Sequence, residues 1–390
     1  MCDTDSGLSA SKNTRSGSVE ATLDGATVLQ RPAASNAKVL TKLLLTNVGR
    51  AEISICVLAT FISFVCFSLL YSNGIEVYPA LAFSLNFRFL STIFALIVIA
   101  ELVFLFAVHR PVNPFQFLMH DDAVKALLRR IVPGVMMAMC LALFMPAFAQ
   151  VKSSIPMLTD YTWDATFILW DQSLHGTDPW RILQPLLGYP AITAFLGQLY
   201  HVWFALIHLC PLCIAMYVSN DETRLRFFMG YFLTWTCVGM IGAIALASVG
   251  PVFLEPLIGN SHFAEQMAYL KSANEITTNP VIEVQNALLD WYFAGEHGLG
   301  RGITAMPSMH VALCTLYVFA MWELDKRLGI AFAIYWTIIA VSSVHLAYHY
   351  AVDGYVSAVL VAAIWFFTKP AARSILASGK SGERVGQEGR

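Results

Sequence analysis

The sequence predicts an all-α membrane protein, a bundle of about six to eight transmembrane helices with amphipathic interfacial helices on the non-cytoplasmic side. The composition is 57% hydrophobic and only 13% charged, with a mean hydropathy of +0.61. Soluble globular domains are less apolar and carry about twice this share of charged residues. We therefore expect the lipid bilayer, and no nucleic acid, as the surroundings of this chain.

Eight apolar runs are candidate membrane spans, and about 20 apolar residues are needed to cross the hydrocarbon core as a helix. They cover residues 53–72, 89–108, 131–149, 190–218, 226–249, 306–324, 329–348 and 354–367. The last run is short, so we expect it to be tilted or incomplete. Residues 1–37 are rich in Ser, Thr, Ala and Gly and are expected to form a disordered tail.

The distribution of Lys and Arg predicts the orientation, because short cytoplasmic loops carry the positive excess. Of the 24 Lys and Arg residues, 19 fall in one alternate set of inter-helix segments, which includes both termini. The other five are Arg88, Lys152, Arg181, Lys271 and Arg301. We therefore expect both termini in the cytoplasm, with an even number of spans between them.

Two long segments on the opposite side contain helical signals. In 156–189 an apolar stripe at helical spacing predicts a helix that lies flat on the membrane. Its apolar members are Trp163, Phe167, Trp170 and Leu174, and the acidic members available to its other face are Asp160, Asp164 and Asp171. Gly176 should end this helix, and Asp178 with Pro179 should begin another one. In 250–305 we expect helical pieces near 262–270 and 281–293.

Residues 307–310 have the sequence P-S-M-H at the start of the sixth apolar run. Ser308 is a candidate N-cap, and free backbone N–H groups at a helix start form an anion site. His310 lies in the first turn, where its imidazole can reach the same phosphate or a leaving oxygen. The alternative is a helix cap followed by an interfacial histidine.

Residues 349–353 have the sequence H-Y-A-V-D at the end of the seventh run. At i and i+4 on one helical face, Asp353 can accept a hydrogen bond from one ring nitrogen of His349 and leave the other as an attacking lone pair. Ionisable residues at a membrane edge are costly and predict a functional site. Because helices over 306–324 and 329–348 would run antiparallel, His310 and His349 should meet at one membrane face. These residues indicate phosphoryl transfer through histidine.

The combination of P-S-M-H and, 39 residues after its histidine, H-x-x-x-D resembles the phosphatidic acid phosphatase type 2 superfamily, whose motifs are K-x6-R-P, P-S-G-H and S-R-x5-H-x3-D. Met309 replaces the glycine, and the aromatic residue after His349 is more similar to inositol phosphorylceramide synthases and sphingomyelin synthases. The stretch 170–180 also resembles the Asp-rich region of that synthase branch. Asp171 in this stretch and Asp164 before it are candidates for substrate binding.

The resemblance implies a role for each motif residue. His349 would be the nucleophile that becomes phosphorylated, Asp353 its orienting partner, and His310 the acid that protonates the leaving group. Ser308 would help to bind the phosphate. The resemblance implies no metal and no other cofactor.

Two departures concern the cations that compensate the phosphate charge. No K-x6-R-P lies on the expected side, since Arg110 is followed by proline but Val103 occupies the lysine position. In the third motif Ser343 stands where the superfamily has arginine. Arg301 is the nearest substitute in sequence, or else an ordinary headgroup-facing cation. His345 is a candidate phosphate donor, or else a buried packing residue.

Two other classes of protein remain open from the residues alone. His345, His349 and Asp353 follow i, i+4 and i+8, which could hold a transition metal with His310 as a fourth ligand and make the protein a metal-dependent hydrolase. The same residues could form a proton or ion relay in a transporter. Against the relay, the charged groups cluster at one membrane face, whereas transporter sites usually lie near the midplane.

The sequence thus predicts a membrane lipid phosphotransferase whose substrates are a phospholipid and a lipid alcohol, with a lipid phosphate phosphatase as the alternative. The expected organisation is a cytoplasmic tail (1–37), N-terminal transmembrane helices (38–150), a catalytic membrane domain (151–368) and a second cytoplasmic tail (369–390). The active site is expected on the periplasmic, extracellular or lumenal side.

Overall fold

The computed structural model describes residues 49–296 and 301–388, and every regular element in these residues is helical. Seven helices are long and apolar enough to cross a membrane, which confirms the predicted class of fold. An eighth apolar helix, Met309–Leu324, has 16 residues, a rise of about 24 Å, and is slightly shorter than the hydrocarbon core. The predicted tail over 1–37 lies outside the described residues.

The helices are numbered here in chain order. The eight apolar helices are α1 (Arg50–Ser72), α2 (Pro79–His109), α4 (Asp122–Ser153), α8 (Pro190–Tyr217), α9 (Asp221–Ala245), α13 (Met309–Leu324), α14 (Lys326–His345) and α15 (Ala351–Glu388). The shorter helices are α3 (Pro114–His120), α5 (Ile155–Leu158), α6 (Asp164–His175), α7 (Pro179–Leu187), α10 (Pro251–Ile258), α11 (Ala264–Ile276) and α12 (Pro280–Phe293).

Four of the short helices, α6, α7, α11 and α12, follow the predicted signals. Gly176 ends α6 in the left-handed region with φ 76°, and Asp178 precedes Pro179 at the start of α7. The pieces expected in 250–305 appear as α11 and α12. No signal predicted α10, whose first residue is Pro251. It occupies the first helical position, where the missing N–H of proline costs nothing.

The last span was predicted to be tilted or incomplete, and the second of these alternatives is wrong. The apolar part of α15 covers Ala351–Ser378, 28 residues. The hydropathy falls at Lys369, but a single charged residue does not end a helix, because lysine has a good helix propensity. The helix therefore continues past the end of the apolar run.

Ion pairs connect six of the apolar helices at one end of the bundle. They join Arg224 to Glu52 and Asp221, Arg226 to Glu323, Arg373 to Glu222, and Arg130 to Glu101. The paired residues belong to α1, α2, α4, α9, α13 and α15. The two histidine motifs lie at the other ends of α13, α14 and α15, so they share the opposite end of the bundle.

Two glycines permit close approaches beside the histidine motifs. Gly239 lies in a π-helical turn of α9, Cys237–Gly242, where a Cβ atom would come within 2.8 Å of the Met309 sulfur. Gly250 has φ +83°, and a Cβ atom there would come within 2.7 Å of the Tyr348 carbonyl oxygen. Larger residues at either position would push the P-S-M-H or the H-Y-A-V-D segment away.

Candidate active site

His349 and Asp353 form the centre of the site. His349 lies between α14 and α15, and Asp353 lies in the first turn of α15. The Nδ1 atom of His349 is 3.1 Å from Asp353 Oδ2, which also accepts the Tyr350 N–H at 3.1 Å. The hydrogen bond therefore joins the segment before α15 to the first turn of α15. The prediction that both residues lie on one face of a single helix is wrong. With its proton on Nδ1, His349 donates to the carboxylate and keeps a lone pair on Nε2.

The environment of His349 keeps its imidazole neutral. His349 is 7% exposed, and Asp353 is fully buried. Burial lowers the pKa of His349 to about 3, and the positive charge of Lys152 acts in the same direction. A neutral imidazole near pH 7 is the state that a nitrogen nucleophile requires.

His310 approaches this pair from the start of α13. Ser308 is the N-cap of that helix, as the sequence predicted, and its Oγ accepts the Val311 N–H at 3.5 Å. The ring centroids of His310 and His349 are 6.3 Å apart. The structure thus brings together three of the predicted residues, His310, His349 and Asp353.

A cavity of about 390 Å³ adjoins both histidines. One face of α4, from Lys152 back to Met145, and one face of α8, from Tyr200 to His208, line it over about 10 Å of helix each. The remaining wall comes from α9, α10, α12 and the segments beside the two histidine motifs, and most of the lining is aromatic or aliphatic. Such a wall suits a hydrocarbon chain with a polar group at one end.

Lys152 is a candidate that the sequence interpretation did not single out. It lies at the end of α4 and lines the cavity together with His310 and His349. Within the described part of the chain, its ammonium group has no hydrogen bond or ion pair. The glycine at 302 makes room for it, since a Cβ atom there would come within 2.7 Å of Lys152 Cγ. The sequence could have identified Lys152 by its position, because it follows an apolar run and is one of the five Lys and Arg residues on the predicted non-cytoplasmic side.

The structure does not bring Arg301 or His345 to the cavity lining. Arg301 donates to Glu296 at 2.6 Å and lies over the Trp291 ring. His345 is 1% exposed, and its Nε2 is 2.9 Å from the Thr193 hydroxyl. This geometry favours packing roles for both residues over direct contact with a phosphate.

Asp164 and Asp171 of α6 are buried and hold the segments around the histidine motif. Asp164 accepts the N–H groups of Val249 and Gly250 and the Tyr350 hydroxyl at 2.8 to 3.1 Å. Asp171 accepts the N–H groups at the start of α15, at 2.8 and 2.9 Å. Burial raises the pKa of Asp171, and these two N–H donors oppose the rise. Neither aspartate lines the cavity, so we interpret them as supports of His349 and Asp353.

Two glutamines complete this support, and the sequence interpretation missed both. Gln266 of α11 donates its side-chain amide to the carbonyl oxygens of Val344 and His345, at 2.8 and 3.2 Å. Gln285 of α12 donates to the Leu346 carbonyl at 2.8 Å. These bonds satisfy carbonyl groups that the end of α14 leaves free.

We expect Asp171→Asn to lower both stability and turnover. An amide offers one oxygen where the carboxylate offers two, so one N–H at the start of α15 would face an NH2 group. The loss of that hydrogen bond should lower the free energy of unfolding by about 1 to 3 kcal/mol. Thermal unfolding in detergent and steady-state kinetics measure the two effects. Ser173→Ala, at an exposed position of the same helix, is the matched control. Wild-type stability and kinetics in Asp171→Asn would contradict the supporting role.

The geometric basis of the metal alternative is wrong. It required a continuous helix carrying His345, His349 and Asp353 on one face, but α14 ends at His345. Among residues 49–296 and 301–388, no group of three His, Cys, Asp or Glu side chains is arranged to hold a metal ion.

The fold and this cluster define a class, the helical membrane proteins with two histidines and an aspartate at one end of the bundle. A family model described as PAP2 superfamily matches residues 165–367, more than half of the chain. The chain belongs to the PAP2 superfamily. The protein is accordingly a membrane enzyme of the phosphatase and phosphotransferase type, with substrates of the lipid phosphate kind. Searches of curated proteins and of solved structures found no significant match.

Proposed function

We propose that the protein is a membrane lipid phosphotransferase that moves a phospho-headgroup from a phospholipid donor to a lipid alcohol acceptor. The observation that carries the proposal is the placement of His349, oriented by Asp353, opposite His310 at the end of one apolar cavity. A nucleophile with an orienting carboxylate and a separate acid is the arrangement that double displacement requires.

The proposed reaction has two steps. In the first, the Nε2 lone pair of His349 attacks phosphorus, the bond from phosphorus to the leaving alcohol breaks, and His310 gives its proton to the leaving oxygen. In the second, the acceptor hydroxyl attacks phosphorus, His310 takes the hydroxyl proton, and the bond from phosphorus to His349 breaks. Asp353 stabilises the positive charge that develops on the His349 ring.

Lys152 is the cation that we propose to compensate the phosphate charge in both steps. An unpaired ammonium group in an apolar cavity is costly, and an anionic ligand removes that cost. The free N–H groups at the start of α13, the helix that Ser308 caps, would add donors on the side of His310. These groups would compensate the phosphate charge in place of the arginines and the lysine of the superfamily motifs, which this chain lacks.

The choice of acceptor separates the transferase from the phosphatase, the second candidate. The mostly apolar cavity wall favours a lipid hydroxyl over bulk water as the second nucleophile. Met309 in the glycine position and Tyr350 after His349 also support the inositol phosphorylceramide synthase-like branch. We propose residues 151–368 as the catalytic unit, which contains the family match at 165–367.

The acceptor experiment tests the proposed function directly. Purified enzyme is incubated with a phospholipid labelled in its headgroup phosphate, with and without ceramide or diacylglycerol. We expect the label to move to the lipid acceptor and little of it to reach water. Release to water that no acceptor suppresses would assign the phosphatase activity instead. A chelator should leave the rate unchanged, since the proposed steps use side chains alone, and loss of activity that zinc restores would favour a metal mechanism.

We also propose that both termini are cytoplasmic and that the site faces the other side of the membrane. The separation of the ion-paired helix ends from the histidine motifs supports this orientation, together with the Lys and Arg distribution. In a cysteine-free variant, Ser261→Cys should react with a membrane-impermeant maleimide from outside, and Lys326→Cys should not. Both positions are exposed, so burial would not explain a difference. The reverse labelling pattern would place the site in the cytoplasm.

A further inference from the structure

The imidazole of His310 lies between two aromatic rings of α8. Its ring centroid is 4.1 Å from that of Tyr200 and 4.0 Å from that of Trp203, with interplanar angles of 17° and 27°. Both aromatic residues are at most 4% exposed. The stack continues from Tyr200 to Tyr348, whose ring is 5.3 Å away and inclined by 8°. His310 is therefore one member of a stack of four rings.

The two histidines of the site are held in different ways. His349 is oriented by a carboxylate through a hydrogen bond of 3.1 Å. In the described part of the chain, the Nε2 atom of His310 is buried and has no hydrogen-bond partner. The flat contacts with Tyr200 and Trp203 fix the plane of the His310 ring instead, and an aromatic face also attracts a positive charge.

We propose that Tyr200 and Trp203 are positioning residues for His310, which hold its imidazole in plane and stabilise its protonated form between their two faces. The proposal rests on the role of His310 in the proposed function. There, the proton leaves the ring for the leaving oxygen as the bond from phosphorus to that oxygen breaks, and the acceptor hydroxyl later returns a proton to the ring.

Charged and titratable groups face His310 from several elements. Burial, and then His349, Lys152 of α4 and His201 of α8, act against a positive charge on the ring. Asp353 of α15 carries the opposite charge and is hydrogen-bonded to His349. With burial and three basic groups against one carboxylate, little of the protonated ring would be present to act as the acid. The ring faces of Tyr200 and Trp203 attract the positive charge of protonated His310, and they add no anion that would repel the phosphate.

The experiment measures the titration of His310 itself, in the full-length enzyme in detergent without substrate. Histidine is labelled with a nitrogen isotope, and the His310 signal is assigned as the one missing in His310→Gln. Removing one aromatic face in Trp203→Leu should move the titration midpoint down by about 0.5 to 1.5 pH units, the size of a cation–π contact. Trp203→Phe and Tyr200→Phe keep a ring at each position and should move it much less.

Trp235→Leu is the matched control. Trp235 is 3% exposed, lines the same cavity and contacts Trp203, and no ring contact joins it to His310. Its replacement should leave the His310 midpoint in place even where it changes KM. If Trp203→Leu does not fold, Tyr200→Leu removes the opposite face and serves as the same test.

The pH dependence of kcat/KM connects the titration to function. Because His310 acts as an acid, activity should fall as pH rises through its midpoint, and Trp203→Leu should move this basic limb down by the same amount as the midpoint. An unmoved midpoint in a folded variant overturns the proposal, whatever the activity. A midpoint that moves while the basic limb stays in place refutes His310 as the acid, and so refutes the proposed function rather than the stacking effect.

Discussion

We expect His349→Ala, His310→Ala and Asp353→Asn each to lower turnover by several orders of magnitude while the protein still inserts and folds. The three residues act on one phosphoryl group, and groups that act as a unit lose most of their effect when any one is removed. Steady-state kinetics on detergent-purified, monodisperse protein measures the loss. Loss in Asp353→Asn would reflect the His349 tautomer, since an amide no longer holds the proton on Nδ1.

A histidine away from the cavity provides the control for these substitutions. His109 is exposed at the end of α2, and His109→Ala should leave turnover close to that of the wild type. Combining His349→Ala with Asp353→Asn should cost little more than His349→Ala alone, because the carboxylate works through the histidine. Normal turnover in any of the three single variants would contradict the assignment.

We expect the second largest effect from Lys152. A phosphoryl group that reaches His349 brings negative charge, and removal of one preorganised group that stabilises such charge typically costs about 10² to 10³ in rate. Lys152→Met keeps the length of the side chain and removes its charge, so the loss should appear with little change in stability. Lys152→Arg should recover part of the rate, because it restores the charge in a bulkier shape.

Arg301→Gln tests whether Arg301, the cation nearest to His310 in sequence, compensates the phosphate charge in place of Lys152. Arg301 pairs with Glu296 and lies outside the cavity lining, so its substitution should change the rate much less than Lys152→Met does. A loss of about 10² to 10³ in Arg301→Gln, with normal kinetics in Lys152→Met, would reverse the two assignments.

The sequence predicted the helices and the central pair of histidines because both depend on local information. Apolar runs of about 20 residues define spans by length alone. The positions of His310 and His349 at the start of one span and the end of the next determine which membrane face they share. Residue spacing was less reliable where the backbone changes direction, and α14 ends at His345 instead of continuing to His349.

The supporting residues could not be predicted from local patterns. Asp164 and Asp171 were expected on the face opposite the apolar stripe, as candidates for substrate binding, but no sequence pattern shows that the start of α15 offers its N–H groups to Asp171. Lys152 is far from both histidines along the chain, and its place beside them depends on how α4 and α8 enclose the cavity. Such contacts between distant segments are determined by tertiary packing.

The central claim is a covalent phosphohistidine at His349, and trapping it is the most direct test. The enzyme is mixed with a donor phospholipid labelled at phosphorus, without acceptor, and quenched at alkaline pH, where a phosphorus–nitrogen bond survives. We predict a protein-bound label that is lost in acid, maps to the peptide containing His349, is absent in His349→Ala, and disappears when a lipid alcohol is added before the quench. A label on another residue, or full turnover in His349→Ala, would contradict the account.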